Sequence, residues 1–178
     1  YREEQIQFIT NYPNNSGSTT YDANILIGGA SYTVTLNSDI TIDDFTLNST
    51  DATVDHTSGI FSVLNTADLS GGTFNLKGGT ISGGTWNVDP GTLKFSNYGG
   101  YLSDGATLNG DLTLDASSSS VTLQTGATFT GDANLTGYGS RLYMDDTRTL
   151  VDKTVNMDSS SASARLYIMD DNTLTLDS

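Results

Sequence analysis

The stretch GATLNGDLTLDASSSSVTLQT, residues 105–125, is followed at once by GATFTGDANLTGYGSRLYMDD, residues 126–146. A third line, TRTLVDKTVNMDSSSASARLYIMDD, fills residues 147–171, and NTLTLDS begins a fourth line at Asn172. The lines start 21, 21 and 25 residues apart, and the extra residues of the third line fall mostly in its Ser-rich loop. A fixed period of this length indicates a repeat architecture.

Each line holds three short segments in which apolar and polar residues alternate. They are ATL, LTL and VTL in the first line, ATF, NL and LYM in the second, and RTL, VNM and LYI in the third. Because successive side chains of a strand point to opposite faces, the third residue of each first segment is expected inward and the middle one outward. The inward residues are Leu108, Phe129 and Leu150, and the outward ones are Thr107, Thr128 and Thr149.

The last segment of the third line carries one residue more than its counterpart. Alignment by the preceding Arg pairs Met144 with Ile168, whereas alignment by the following Asp pairs it with Met169. We therefore expect a bulge or a shifted corner between Tyr167 and Asp170.

A unit near 21 residues with three very short strands has the size of one coil of a parallel β-helix. Gly, Ser, Thr, Asn and Asp dominate the chain, and these residues favour turns over helices. An antiparallel sandwich would explain the alternation and the glycine turns, but not the 21-residue register. The sequence therefore predicts an all-β, right-handed parallel β-helix, a solenoid with about 21 residues and three short strands per coil.

The same pattern extends upstream with more glycine, as far as Ile25. We predict a repeat domain over residues 25–178 and an N-terminal cap or extension over residues 1–24. Ile6 and Phe8 are expected to lie over the first coil, or to form a strand lent to a neighbouring molecule. At the other end the sequence stops in the first strand of a new coil, so we expect either a longer chain or self-association through the coil ends.

Charge and composition exclude several classes of function. With 7 basic and 21 acidic residues the formal net charge is −14, which argues against a nucleic-acid partner. The chain has no Cys, which excludes disulfides, zinc-thiolate sites and thiol nucleophiles. No apolar run is long enough for a membrane span. Tyr1 follows no leader sequence, so we expect a mature product or an excised piece.

No residue pattern predicts catalysis. The chain lacks a Gly-x-Ser-x-Gly elbow, a phosphate loop and an HExxH motif, and its many Asp residues single out no carboxylate pair. The only His, His56, lies in a polar segment and is expected to be a solvated turn residue. We therefore predict that the protein is not an enzyme and requires no cofactor, with a polysaccharide lyase or hydrolase as the alternative.

Two adjacent Asp pairs end successive lines and are the candidate metal ligands. They are Asp145, Asp146, Asp170 and Asp171. Stacked carboxylates repel one another unless they reach water, pair with cations or share a metal ion, and Ca²⁺ prefers several oxygen ligands. Arg141 and Arg165 recur with the pairs and are expected to neutralise them in part. Solvated turn residues and a shared Ca²⁺ remain the two interpretations, the former favoured by the turn preference of Asp.

Tyr143 and Tyr167 recur at the same place in successive lines and are predicted on an outer face. Aromatic rings there would stack on sugar rings, which makes the two residues candidate glycan ligands. The competing interpretation is that the rings stack on each other and protect the sheet. Tyr98, Tyr101 and Tyr138 are expected in neighbouring turns.

Lines such as GATLNGDLTL, GATFTGDANLTG and SGGTFNLKGGTISGGTWNV resemble the repeats of bacterial surface β-helix proteins. This group contains autotransporter passenger domains and filamentous-haemagglutinin-like adhesins. The resemblance covers roughly residues 25–178 and implies an extracellular or cell-surface module for adhesion, display or filament assembly. The family carries no shared catalytic residues, so it adds none here. The alternative function is a carbohydrate-binding or polysaccharide-processing β-helix.

Overall fold

The computed structural model of the protein describes residues 12–89, 92–157 and 163–177. All regular structure in these residues is β-strand. The strands are β1 (Ala23–Ile25), β2 (Tyr32–Leu36), β3 (Ile40–Ile42), β4 (Phe45–Leu47), β5 (Ala52–His56), β6 (Ile60–Val63), β7 (Thr66–Leu69), β8 (Thr73–Leu76), β9 (Thr80–Ser82), β10 (Thr85–Val88), β11 (Leu93–Phe95), β12 (Tyr101–Ser103), β13 (Thr107–Asn109), β14 (Leu112–Leu114), β15 (Ser120–Leu123), β16 (Thr128–Phe129), β17 (Ala133–Leu135), β18 (Arg141–Met144), β19 (Arg148–Val151), β20 (Val155–Met157), β21 (Arg165–Ile168) and β22 (Leu174–Asp177).

Each strand pairs in parallel with the strand three places along the chain, so the chain winds into a β-solenoid of about seven turns. The first face contains β1, β4, β7, β10, β13 and β16, and β19 pairs separately with β22. The second face contains β2, β5, β8 and β11, followed by a separate ladder of β14, β17 and β20. The third face is one unbroken ladder of seven strands, from β3 to β21. The predicted parallel β-helix of about 21 residues per coil is confirmed.

The side-chain alternation predicted from the sequence is also confirmed. The inward residues Leu108, Phe129 and Leu150 are at most 2% exposed. The corresponding Thr residues lie on the outside. Because pairing is parallel and in register, inward residues of successive paired strands stack on each other, which builds mostly apolar columns within each ladder.

The extra residue of the third repeat lies in a turn and leaves the strand register intact. Met144 pairs with Ile168, so alignment by Arg is the correct one. Met169 still donates its backbone N–H to the Met144 carbonyl at 2.9 Å, and Asp170 then takes a left-handed conformation with φ 53°. Of the two predicted alternatives, a bulge and a shifted corner, the structure has the shifted corner, which lies after Met169.

An aromatic cluster ties the three faces together near the N-terminal end. Phe45 and Trp86 come from the first face, Phe74 from the second and Phe61 from the third. Their ring centroids lie 5.2–6.5 Å apart, mostly edge to face, and all four residues are at most 3% exposed. Such pairs add about 0.5–1.5 kcal/mol each beyond the area they bury. This cluster therefore packs side chains of all three faces against one another in the early coils.

Residues 12–22 run along the edge of the third face at its N-terminal end. Asn15 donates its backbone N–H to the Thr41 carbonyl at 2.7 Å, and the Asn14 side chain accepts the Thr41 N–H at 2.8 Å. These bonds cover the free edge of β3, as an end cap requires. The predicted cap residues Ile6 and Phe8 lie outside the described residues, as does most of the Ser-rich loop of the third repeat. The division at residue 24 stays a prediction.

Candidate functional site

The unbroken third face carries an outward column of aromatic and Thr side chains. The in-register pairs Tyr101–Thr122, Thr122–Tyr143 and Tyr143–Tyr167 form this column. Tyr143 and Tyr167 therefore lie together on an outer face, as predicted. Tyr101 lies in strand β12 of the same column, so its predicted place in a neighbouring turn is wrong. The spacing contains the signal, because Tyr101 precedes Thr122 by the same 21 residues that separate Thr122 from Tyr143.

Tyr143 and Tyr167 stack face to face. Their ring centroids are 4.8 Å apart and the ring planes differ by 9°. The Arg165 side chain donates a hydrogen bond to the Tyr167 hydroxyl at 3.1 Å, which holds the outer ring in place. Since each ring covers one face of the other, the open face of Tyr143 is the one toward Thr122.

A groove of about 540 Å³ opens beside this column. Its lining consists of Asn97, Tyr98, Gly99, Gly100, Tyr101, Ser120, Thr122, Gln124, Arg141, Tyr143, Asp145 and Met169. Tyr98 is 81% exposed and Tyr101 is 42% exposed, so both rings are accessible from solvent. Aromatic walls with a few polar side chains are typical of small-ligand sites.

Polar side chains also line the groove, among them Gln124, Arg141 and Asp145. Gln124 donates a side-chain hydrogen bond to Asp145 at 3.2 Å. Arg141 has no side-chain hydrogen bond or ion pair with any of the residues that the structure describes. The groove therefore offers a cationic donor, an amide and a carboxylate within reach of its aromatic walls.

One carboxylate of the acidic corner, Asp146, is paired with an Arg other than the expected ones. Arg148 pairs with Asp146, and its guanidinium also donates to the carbonyls of Ala127 at 2.7 Å and Gln124 at 3.1 Å. Arg141 and Arg165, which the repeat suggested as partners, lie on the third face instead. A guanidinium suits this corner because its planar fork binds a carboxylate and carbonyls at the same time.

Arg148 occupies a position that holds a small apolar residue in the preceding coils. The equivalent residues are Ala106 and Ala127, both at most 3% exposed. The Arg148 side chain is itself only 9% exposed. Its guanidinium binds the carbonyl of Ala127, the equivalent residue one coil below. Among the described residues, the ladder of the first face ends at β16, and β19 pairs with β22 alone.

The other three predicted metal ligands have separate surroundings. Asp145 accepts the Gln124 hydrogen bond, whereas Asp170 and Asp171 are exposed in the turn after β21. No group of three or more acidic or His side chains comes together within residues 12–89, 92–157 and 163–177. Calcium binding at Asp145, Asp146, Asp170 and Asp171 stays a prediction, and one carboxylate oxygen of Asp146 is already engaged by Arg148.

His56 lies in the core, so its predicted place in a solvated turn is wrong. The residue is fully buried in β5 and stands between Leu36 and Leu76 in an inward column. Its ring nitrogens face the carbonyls of Leu36 at 3.4 Å and Thr80 at 3.1 Å. The alternation of ATVDH contains the signal, since it places His56 on the same side of the strand as Ala52 and Val54.

Gly79 provides the space for this imidazole. A Cβ at position 79 would lie 2.2 Å from His56 Nε2, so no larger residue fits there. Burial lowers the pKa of His56, and the two carbonyl contacts oppose this effect only in part. The imidazole is therefore held neutral inside the solenoid.

Protein-family models, curated proteins and solved structures were all compared with this chain, and no match was found. No helix in the described residues is long and apolar enough to span a membrane. The candidate functions therefore rest on the geometry of the groove and of the coil ends.

The Arg148 contacts predict a loss of stability when the guanidinium is removed. Arg148→Met keeps much of the apolar stem but leaves two carbonyls and the Asp146 carboxylate without their donor. We expect the free energy of unfolding to fall by about 2 kcal/mol in urea denaturation. Arg141→Met is the matched control and should change stability by no more than about 0.5 kcal/mol. Equal losses in both variants would contradict this role.

The burial of His56 predicts a pH-dependent stability. Because its pKa is lower in the folded chain than in the unfolded chain, its contribution is complete above about pH 6.5 and is lost as the pH falls below that value. The free energy of unfolding should therefore decrease between pH 7 and pH 5. His56→Leu places in the column the same residue type as its neighbours Leu36 and Leu76, and it should remove the part of the decrease that His56 causes.

Two features make this measurement clean. His56 is the only His, so one imidazole signal in a nuclear magnetic resonance titration reports its pKa directly. At the neighbouring Asp55, burial raises the pKa, but hydrogen bonds from Lys77 and Asn75 outweigh it and the net shift is downward, away from this pH range. An imidazole that titrates at or above its ordinary pKa would rule out the neutral buried state.

Proposed function

We propose that this chain is an extracellular structural module of the bacterial surface β-helix type, a stalk, display element or filament subunit that extends by stacking coil on coil. One observation carries the proposal. On each of the three faces, an inward column passes from full burial to exposure in the last coil. The pairs are Leu135 to Met157, Met144 to Ile168 and Leu150 to Leu176.

The exposed members of these pairs form an apolar end. Met157 is 52% exposed, Ile168 is 38% exposed and Leu176 is 59% exposed, whereas their partners one coil below are at most 2% exposed. Among the described residues, β20, β21 and β22 have no strand partner on this side, and unpaired edges favour the addition of further strands. Another coil in the same register would bury these side chains and continue the ladders.

The opposite end is partly covered, because residues 12–22 bind the edge of β3, but the edges of β1 and β2 have no strand partner among the described residues. A cavity of about 480 Å³ opens there, and inward side chains from all three faces line it, including Ile25, Val34 and Ile42. The two ends differ from each other, so contact between copies would run head to tail and would repeat without closing. Such a contact produces a filament, which fits a role in extension or display.

The side faces disfavour contact between copies through the sides. Outward columns of Thr, Asn and Asp cover the solenoid, and the net charge of −14 makes the side faces of neighbouring copies repel each other. The resemblance of the Thr-rich and Gly-rich repeats to bacterial surface proteins supports a location outside the cell. We propose a binding and assembling role for the module, and no enzymatic one.

The stacking proposal predicts that one charge at the apolar end prevents assembly of the 178-residue chain. Leu176→Lys places an ammonium group in an interface that would otherwise be buried and apolar. Sedimentation velocity and electron microscopy at rising concentration should find end-to-end assemblies of the unmodified chain and monomers of the variant.

Leu64→Lys is the matched control for this experiment. Leu64 is 58% exposed, almost as much as Leu176, but it lies in a turn on the side of the solenoid. The control should assemble like the unmodified chain. Monomers at every concentration for the unmodified chain, or equal loss in both variants, would contradict assembly through the coil end.

The second candidate function is carbohydrate binding, and the tyrosine-lined groove of the third face supports it. Tyr98, Tyr101 and Tyr143 offer aromatic surface, and Arg141 and Asp145 offer donors and acceptors for hydroxyl groups. This function fits a surface module, because a stalk with a sugar site also serves adhesion.

A glycan array, probed with and without Ca²⁺, tests the second function. We expect binding that is lost in Tyr143→Ala, which removes one aromatic wall of the groove. Binding that requires Ca²⁺ and is lost in Asp170→Asn would place the metal ion at the acidic corner. Release of new sugar ends during incubation would favour a polysaccharide-processing enzyme. An array without any signal would exclude the carbohydrate function.

A further inference from the structure

We propose that the gap above Thr122, between Tyr101 and Tyr143, is a subsite for a single pyranose ring of a neutral polysaccharide. This inference rests on the carbohydrate-binding function proposed above. It specifies where one sugar ring binds, how many rings the module takes in this way and which chemical class of glycan it accepts.

The spacing of the solenoid gives the gap its width. Tyr101, Thr122 and Tyr143 occupy three successive rungs of one column, so the two Tyr residues are two rungs apart. Two rungs span about 9.6 Å. Carbon atoms in contact lie about 3.5–4.0 Å apart, so a flat guest between two rings needs about 8 Å. A puckered pyranose chair is thicker than a flat ring and fills the remaining space.

The Tyr143–Tyr167 stack indicates how rings in this column are oriented. Those two rings lie one rung apart and are almost parallel. The open face of Tyr143 is therefore directed at the gap. The C–H face of a pyranose ring is apolar and packs against the electron-rich face of an aromatic ring.

Polar groups stand at the mouth of the gap, as a sugar requires. Arg141 precedes Tyr143 by two residues on the same outer side of β18, and its guanidinium has no partner among the described residues. Gln124 and Asp145 line the same groove. These side chains supply both donors and acceptors for ring hydroxyl groups, while the rings of Tyr101 and Tyr143 would cover the apolar faces.

The charge of the chain favours a neutral glycan. The groove itself holds one Arg and one Asp and is close to neutral. The whole chain carries a formal charge of −14, which repels a polyanion such as a polyuronate. A neutral hexose polymer meets no such repulsion.

The column also sets the number of subsites. Tyr143 and Tyr167 occupy adjacent rungs with no Thr between them, and their mutual stacking leaves no gap for a sugar. On the other side of Tyr101 the next residue of the column is Thr80, and beyond it is Ile60 rather than a second Tyr. One pyranose ring per chain is therefore sandwiched in this column.

The experiment fills the gap without disturbing the fold. Thr122→Tyr should place one new ring between Tyr101 and Tyr143, in the geometry that Tyr143 and Tyr167 already adopt. We expect this variant to keep or raise the melting temperature and to bind at least tenfold more weakly, which corresponds to about 1.4 kcal/mol. Thr122→Val keeps the size of the residue and should bind within about twofold of the unmodified chain.

The probes are neutral glucan, mannan and galactan oligosaccharides, with a polyuronate for comparison, measured by calorimetry on the full chain. Tyr101→Ala is a second variant that opens the gap on one side, and it should also bind at least tenfold more weakly. A stoichiometry of one oligosaccharide per chain is expected.

The outcomes separate this inference from the function on which it rests. No binding of any glycan by the unmodified chain would overturn both. Glycan binding that Thr122→Tyr and Tyr101→Ala leave unchanged would overturn the subsite and keep the carbohydrate function. Binding of the polyuronate in preference to the neutral probes would overturn the assignment of the glycan class.

Discussion

Parallel, in-register pairing of each strand with the strand one coil earlier is the constraint on which the whole molecule depends. Within each ladder, a residue of one strand lies about 4.8 Å above a residue roughly 21 positions earlier. Interior packing is therefore decided column by column. The Leu108–Phe129 pair stays dry because both residues are apolar. On the outside the same rule builds a column of Tyr and Thr.

Most of this architecture can be predicted from the sequence, because the 21-residue period and the apolar–polar alternation of the strands together decide which residues share a column. His56 and Arg148 are among the residues that depart from this prediction for physical reasons. The polar neighbours of His56 predict a solvated turn, although only its own strand phase decides its side, and Gly79 supplies the space it needs. The repeat pattern does not predict the role of Arg148, because its long side chain binds backbone carbonyls of the coil below, and no sequence motif encodes that contact.

A residue that differs in kind from the rest of its column therefore indicates a special local arrangement. In the interior such a residue needs a compensating feature. Gly79 makes room for His56, and backbone carbonyls accept the hydrogen bonds of Arg148. On the outside no compensation is needed, because solvent fills the space that a smaller residue leaves. Thr122 between Tyr101 and Tyr143 is an exception of the second kind. An indentation of this kind is open to a ligand, whereas an interior exception is closed by the protein itself.

The solenoid keeps the two proposed roles on different surfaces, since assembly uses the ends and sugar binding uses a side face. This separation has a consequence for avidity. If modules stack in register, the gap at Thr122 recurs once per module, about every 34 Å for seven coils. A polysaccharide chain that spans several modules would then bind at several sites at once. Linked weak sites gain affinity by factors of roughly 10²–10⁴ without any new contact. In such a stack, one shallow subsite per module would suffice for adhesion, and no deep pocket would be required.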